Sequence, residues 1–230
     1  MATIGVYDSG IGGLTTLKLL KEQFDGNDFF YFADNLHHPF GVKSKKELED
    51  IVSSGIKVLK AHSDIQVLAC NTSSFCYEQK DVFKLLPPIA KISENTLLLA
   101  TDASLEHIKN KGKYADVSEL ATLVELHVSN ALRKGNLNLD SLMPYLKKRI
   151  GKFWGVKSVI LGCSHYPYVK AQISKILGKV DYLDGNEQLI NAMKSQIAPM
   201  KKASNIAFDF SGENEQKKYE KTLNLLMQQQ

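Results

Sequence analysis

Two of the three cysteines, Cys70 and Cys163, stand where an apolar run gives way to polar residues, in ACNTSS and GCSHYP. A thiol at a strand end, with hydroxyl and amide donors at the start of a following helix, can have its pKa brought down from about 8.5 towards neutrality and serve as a base or nucleophile. A buried cysteine can equally be an inert small hydrophobe. The paired occurrence favours chemistry. His165, two residues beyond Cys163, can shuttle a proton or bias that thiol. Cys76 lacks such company and is expected in the core.

The first apolar run ends in Asp8-Ser-Gly-Ile-Gly-Gly13. These glycines allow a tight turn and close approach to a ligand, and the amides of a helix start favour an anion. The alternative is a plain glycine turn with Asp8 or Ser9 as helix cap. A dinucleotide fingerprint fails because Thr15 occupies the third glycine position, and no GK[ST] follows to make a phosphate loop. Cys70, Cys76, Cys163 and His165 are zinc-ligand types. Their C-x5-C and C-x-H spacings do not fit a structural zinc site, so no metal is expected. A cysteine phosphatase is excluded because Cys76, not arginine, lies six residues after Cys70. His37 and His38, ahead of Pro39-Phe-Gly41, read as surface or lid residues, and His62, His107 and His127 as solvated or packing residues of helices.

These residues need a scaffold that gathers strand ends. Apolar runs at 3–7, 29–33, 65–69, 96–100, 156–161, 180–183 and 205–210 alternate with stretches of helical period, the pattern of βα units in a parallel α/β fold. Leu14, Leu17, Leu20 and Phe24 form one helical stripe, as do Leu48, Ile51, Val52 and Leu59. Ser44 with Glu47 makes a capping-box pattern for the second of these helices, and Asp116 with Glu119 suggests another box opening a helix over 117–133. Further helices are predicted over 140–150, 168–177, 186–196 and 214–228. Val67–Thr72 echoes Val159–His165 when Cys70 is laid on Cys163, which suggests two lobes of similar plan. In open parallel sheets ligands bind beyond the carboxyl ends of the strands.

The 230 residues carry 29 Lys and Arg against 25 Asp and Glu, a net charge of +4. The basic residues are scattered apart from pairs such as Lys147, Lys148 and Lys201, Lys202, so a nucleic-acid partner is not expected. No apolar segment has the length of a membrane span and the amino terminus has no signal-peptide pattern, so a cytoplasmic protein without a membrane partner is expected. With an odd count of three cysteines and no export signal, a disulfide framework is not expected.

DSGIGG, the stretch from ADN to PFG, ACNTSS and GCSHYP occur together in the order and at the spacing found in glutamate racemases, of the cofactor-independent aspartate/glutamate racemase superfamily. The chain resembles that family over most of its length. The resemblance implies two pseudo-symmetric α/β lobes, residues 1–92 plus 205–230 and residues 93–204, with the active site between them. It also implies inversion of an amino acid's α-carbon without pyridoxal phosphate or any other cofactor. The acid/base pair would be Cys70 and Cys163, with Asp8 assisting Cys70, and His165 with Glu125 assisting Cys163. Substrate-gripping positions would be Ser9, Pro39, Phe40, Gly41, Asn71, Thr72, Thr101, Ser104 and Ser164. Inversion by proton transfer needs one group on each face of the carbon, which two thiols supply. The implied substrate is an acidic amino acid, foremost glutamate, converted to its D-enantiomer for peptidoglycan, and a homodimer is expected. An aspartate racemase, or a lapsed relative that binds a ligand or partner protein, are the alternatives. Phe40 stands where the family has tyrosine, Ser104 and Ser164 where it has threonine, and the stretch from Pro88 to Thr101 is shorter than the family pattern.

Overall fold

The computed structural model describes residues 2–197 and 204–228. The Lys201, Lys202 pair and the last two glutamines lie outside the described residues. In chain order the elements are β1 (Thr3–Asp8), α1 (Leu14–Gln23), β2 (Asp28–Ala33), α2 (Lys45–His62), β3 (Ile65–Leu68), α3 (Asn71–Cys76), β4 (Phe83–Lys84), β5 (Thr96–Ala100) and α4 (Asp102–Glu106). They continue with β6 (Lys113–Asp116), α5 (Glu119–Arg133), α6 (Met143–Ile150), β7 (Ser158–Gly162), α7 (Lys170–Leu177), β8 (Asp181–Leu183), α8 (Asn186–Met193), β9 (Ile206–Phe210) and α9 (Gln216–Gln228).

The strands form two sheets, ordered β4-β3-β1-β2-β9 and β6-β5-β7-β8, and every pairing within them is parallel. Helices connect and cover the strands, so the central strands are apolar on both faces. Residues 4–8 of β1 and all of β5 are buried. The expected α/β class is therefore the observed one.

In each sheet the chain reverses its direction of winding once. β1 lies between β2 and β3, and β5 lies between β6 and β7. The loops leaving β1 and β3, and those leaving β5 and β7, thus diverge to opposite faces and leave a crevice between them. Asp8 and Cys70 bound the first crevice, Thr101 and Cys163 the second.

Helix α1 buries Leu14, Leu17 and Leu20, and Phe24 closes the same stripe. Helix α2 begins with the expected capping box: Glu47 N–H donates to Ser44 Oγ, and Ser44 N–H donates to Glu47 Oε2 at 3.0 Å. A cap of this kind contributes about 1 kcal/mol. The second expected box does not form. Asp116 ends β6, and its Oδ1 accepts from the N–H and Oγ–H of Ser118, while α5 starts at Glu119. The amino-terminal half of α8 also reaches across to α1, where Thr16 donates to Asn186 Oδ1 at 2.9 Å. Among the described residues no helix is long and apolar enough to cross a membrane.

Candidate active site

The loop after β1 turns at Asp8, whose Oδ1 accepts from Gly10 N–H at 2.9 Å. The residue at the start of α1 is Gly13, without a side-chain cap; neither Asp8 nor Ser9 caps the helix. Glycine is required here by crowding. A Cβ on Gly12 would fall 2.4 Å from Ser164 Oγ and 2.6 Å from His165 Nδ1, and one on Gly10 would fall 2.0 Å from Glu125 Oε1. The loop thus lies directly against residues of the second sheet.

Three sets of contacts join the two crevices. Ser164 Oγ donates to Asp8 Oδ2 at 2.8 Å. Ile11 N–H donates to Glu125 Oε1 at 2.6 Å. Thr72 Oγ1 lies 3.1 Å from Thr101 Oγ1 and 3.3 Å from Ser104 Oγ, and Thr101 donates to Ser104 at 2.9 Å. All the residues the resemblance assigns to the site, apart from Pro39 and Glu125, are buried, and Glu125 is only 13% exposed. Phe40 and Gly41 form a short 3-10 turn after a cis His38–Pro39 bond. Lacking a hydroxyl, the Phe40 ring packs 6.3 Å from that of Tyr7 within an apolar cluster.

The two thiols have different surroundings. Cys70 sits at the amino-terminal boundary of α3, where a lowered pKa was expected. Burial pushes it up instead, to about 12, and the nearby Asp8 charge adds to this while bonds from Ser73 oppose it. Desolvation of a thiolate outweighs what a six-residue helix supplies. Cys70 therefore holds its proton. Cys163 Sγ lies 3.8 Å from Nδ1 of His165, and His165 Nε2 lies 3.0 Å from Glu125 Oε1. Burial by itself would favour a neutral His165 ring, but hydrogen bonding to Cys163 and Glu125 overcomes it and raises the pKa well above the ordinary value. Glu125 responds in kind. Burial opposes its charge, yet the His165 bond, the His165 charge and Lys218 hold its pKa down at about 2.

Asp8 is fully buried, and that burial raises its pKa against the stabilising His165 charge and the bonds from Ser164 and Gly10. Both of its oxygens are engaged by those two donors, so its influence on Cys70 is electrostatic. Asn71 anchors its Nδ2 to the Leu85 carbonyl at 3.1 Å. Its Oδ1 is buried without a partner, an acceptor that costs free energy until something donates to it.

Several residues of the site escaped the sequence reading. His38, read as a surface or lid residue, is half-buried: both ring nitrogens are sealed without hydrogen-bond partners, and its ring centroid lies 5.5 Å from that of His165. Lys218 and Tyr168 also contribute, Lys218 through an ion pair with Glu125 Oε2 at 3.0 Å and Tyr168 through a bond to the Ile11 carbonyl at 2.8 Å. No local motif marks them, because each acts through a contact with a residue distant in sequence. His37 is half-buried as well, and bonded to Asp34 at 2.6 Å. Cys76 is in the core, as expected.

Among the described residues the potential metal ligands that converge are His38, Glu125 and His165, with ligand atoms within 4.8 Å of one another, rather than the three cysteines with His165. This trio is poorly suited to a cation. Glu125 already accepts from Ile11, His165 and Lys218, and His165 holds a proton where a metal would bind.

The site is closed. A broad surface hollow of about 760 Å³ lies along β6 and the end of α6, and neither thiol lines it.

No family model matches the chain. It is 30% identical over 216 residues to a glutamate racemase of Clostridium perfringens (strain SM101 / Type A), covering 85% of this chain and 83% of the relative. A Campylobacter curvus glutamate racemase is 30% identical over 225 residues, with the same shares covered. The fold is shared with the crystal structure of glutamate racemase from Thermus thermophilus in complex with beta-chloro-D-alanine, at a TM-score of 0.78 and 24% identity over 96% of this chain and 93% of that one. It is shared also with the Escherichia coli glutamate racemase in complex with L-glutamate and the activator UDP-MurNAc-ala, at a TM-score of 0.73 and 23% identity over 98% and 94% of the two chains.

Proposed function

This chain belongs to the glutamate racemase family and is an amino-acid racemase, and on that premise we propose that it inverts the α-carbon of glutamate by passing protons between Cys70 and Cys163. The observation that carries the reading is the unlike surroundings of two thiols placed at the two sheet crevices. Cys70 keeps its proton, whereas Cys163 has a proton partner, His165, at 3.8 Å.

In this mechanism the substrate lies between the crevices. Cys163 takes the α-proton from one face while Cys70 delivers one to the other. For the reverse reaction the roles exchange, as microscopic reversibility demands. Glu125 keeps His165 oriented, and Asp8 biases the charge near Cys70. The orphan Oδ1 of Asn71 suits a substrate ammonium donor. The Thr72, Thr101 and Ser104 hydroxyls, now bonded to one another, would exchange those bonds for substrate oxygens, and Ser9, Ser164 and the turn Pro39-Phe40-Gly41 would complete the grip. Stabilisation of the carbanion-like transition state falls to these donors in a water-excluded site, with no cofactor taking part. Because both thiols are buried, the crevices must part to admit substrate and close again for reaction.

The E. coli structure that shares this fold is described with L-glutamate, which supports an acidic amino acid as substrate. The proposal extends to D-glutamate supply for peptidoglycan, a cytoplasmic location, a homodimer, and lobes divided at residues 92 and 205. The test is to incubate purified protein, without pyridoxal phosphate, with each enantiomer of glutamate and of aspartate and to resolve the products on a chiral column. Conversion of glutamate in both directions is expected. Conversion of aspartate alone would replace the substrate assignment, and no conversion of either would refute the proposal.

A further inference from the structure

Glu125 is held from three directions. Its Oε1 accepts from Ile11 N–H at 2.6 Å and lies 3.0 Å from His165 Nε2, while its Oε2 accepts from Lys218 Nζ at 3.0 Å. Helix α5, which carries Glu125, belongs with the second sheet, following β6. Ile11 and Lys218 arrive from the other side: Ile11 in the loop after β1, and Lys218 in the first turn of α9, the helix that follows β9 of the first sheet. Helix α9 packs against both α1 and α5, which places the ammonium across the boundary between the sheets.

We propose that Lys218 is a positioning residue of the Cys163 half-site, clamping Glu125 from the carboxyl-terminal helix so that Glu125 in turn aims His165 at Cys163 when the crevices are closed. This inference rests on the racemase reading of that half-site. Lys218 is only 18% exposed and Glu125 13%, so the pair is not a solvated surface bridge of negligible worth. Glu215 holds the ammonium from the preceding turn at 3.1 Å. With both carboxylate oxygens fixed, the plane of Glu125 cannot turn, and the 3.0 Å contact that orients the imidazole is fixed with it. Without Lys218 the carboxylate can rotate about Oε1 and carry His165 off line. It also loses one of the positive charges that keep it ionised.

The titratable groups facing Glu125 are His165 on the loop after β7, His38 on the loop after β2, Lys218 and Tyr219 on α9, Tyr168 before α7, Tyr31 on β2, and the Asp8 carboxylate at the end of β1; the tyrosines are neutral across the range in question, their pKa values pushed up by burial. Only Lys218 is a permanent cation among them. Its removal should therefore move the protonation of Glu125 to higher pH.

The experiment compares the full-length parent with Lys218→Met and Lys218→Arg, measuring kcat/KM for glutamate racemisation across pH and the ¹⁵N resonances of the His165 ring across the same range. For Lys218→Met, kcat/KM is expected to fall about tenfold, equally in the two directions because the equilibrium constant of a racemisation is one. The acid limb of the profile should rise in pH and the His165 resonances should shift, while Lys218→Arg restores both. If Lys218→Met does not fold, Lys218→Gln takes its place with the same expectation. Parent-like acid limb and His165 resonances in a folded Lys218→Met or Lys218→Gln protein would overturn the proposal, whatever the loss of rate. If the parent itself fails to racemise, the functional reading falls separately, and the His165 resonances still decide whether Lys218 governs the imidazole.

Discussion

Ser164 Oγ donates to Asp8 Oδ2 at 2.8 Å, so the residue after one thiol, Cys163, is bonded to the carboxylate whose charge acts on the other, Cys70. The contact crosses from the second sheet to the first and is buried at both ends. Parting the two crevices would break it. Ser164→Ala leaves a buried carboxylate short of one donor, and stability should fall by about 1–3 kcal/mol. The Asp8 pKa, already raised by burial, should rise further. Ser164→Thr keeps the hydroxyl and should stay near the parent. Urea unfolding at neutral pH checks this, and equal stability of the Ala and Thr variants would contradict it.

Gly12 predicts a steric effect on closure. The Cβ of Gly12→Ala would meet Ser164 Oγ and His165 Nδ1 well inside contact distance, so the loop after β1 and the loop after β7 would have to separate. A displacement of this size at the reacting groups should cost about 10²-fold in kcat/KM. Steady-state kinetics of Gly12→Ala beside Gly151→Ala controls for the loss of a glycine as such, since Gly151 has a negative φ and a Cβ there would meet only Lys147 Cγ at an ordinary 3.7 Å. Equal rates in parent and Gly12→Ala would show that the closed arrangement is not the reacting one.

His38 predicts a pH dependence of stability. Burial, with help from the His165 charge, lowers its pKa from 6.5 to about 4. A histidine with a depressed folded-state pKa leaves the unfolded chain more protonated between those two values, so its stabilising contribution is complete above 6.5 and is lost as the pH falls towards 4. At pH 5 that loss is about 2 kcal/mol relative to pH 7.5. His165 works the other way, its raised pKa stabilising below the unfolded value and fading as pH rises, so the comparison must be with a variant. His38→Gln should lose about 2 kcal/mol less than the parent between pH 7.5 and pH 5. Denaturant titrations at the two pH values check the difference, and parallel losses would contradict it.

The αβ alternation and both cysteine loops were legible because the strands are buried on both faces and read as unbroken apolar runs. The strands that escaped notice are at or near edges: β4 is two residues long, and β6, Lys113–Asp116, has charged ends. Edge strands have no need of a continuous apolar pattern. The supposed box of Asp116 and Glu119 failed for a similar reason, since the pattern cannot tell a cap from the last residue of a strand. The thiol-bearing loops could be placed by motif, but the pKa of Cys70 could not, because desolvation depends on what covers the sulfur. Lys218 and His38 are invisible along the chain. Their significance lies in meeting Glu125 and His165 across 93 and 127 residues of sequence.

Both thiols should be indispensable to inversion, and removing either should lower kcat by about 10²–10⁴-fold. Cys76→Ala, a core change at the end of α3 with Sγ 4.0 Å from His107, should affect stability more than rate. Chiral analysis of product formed by Cys70→Ala, Cys163→Ala and Cys76→Ala checks this. Retention of near-parent rates after loss of Cys70 or Cys163 would remove that residue from the mechanism.

The most direct test of two sulfurs acting on opposite faces is to run the reaction in heavy water to low conversion and locate the deuterium by chiral separation and mass spectrometry. The account predicts deuterium at the α-carbon of the newly formed enantiomer, with the unconverted substrate still carrying its original hydrogen, from either starting hand. Equal labelling of substrate and product from the outset would mean that a single group, or solvent, handles both proton transfers, and would contradict it.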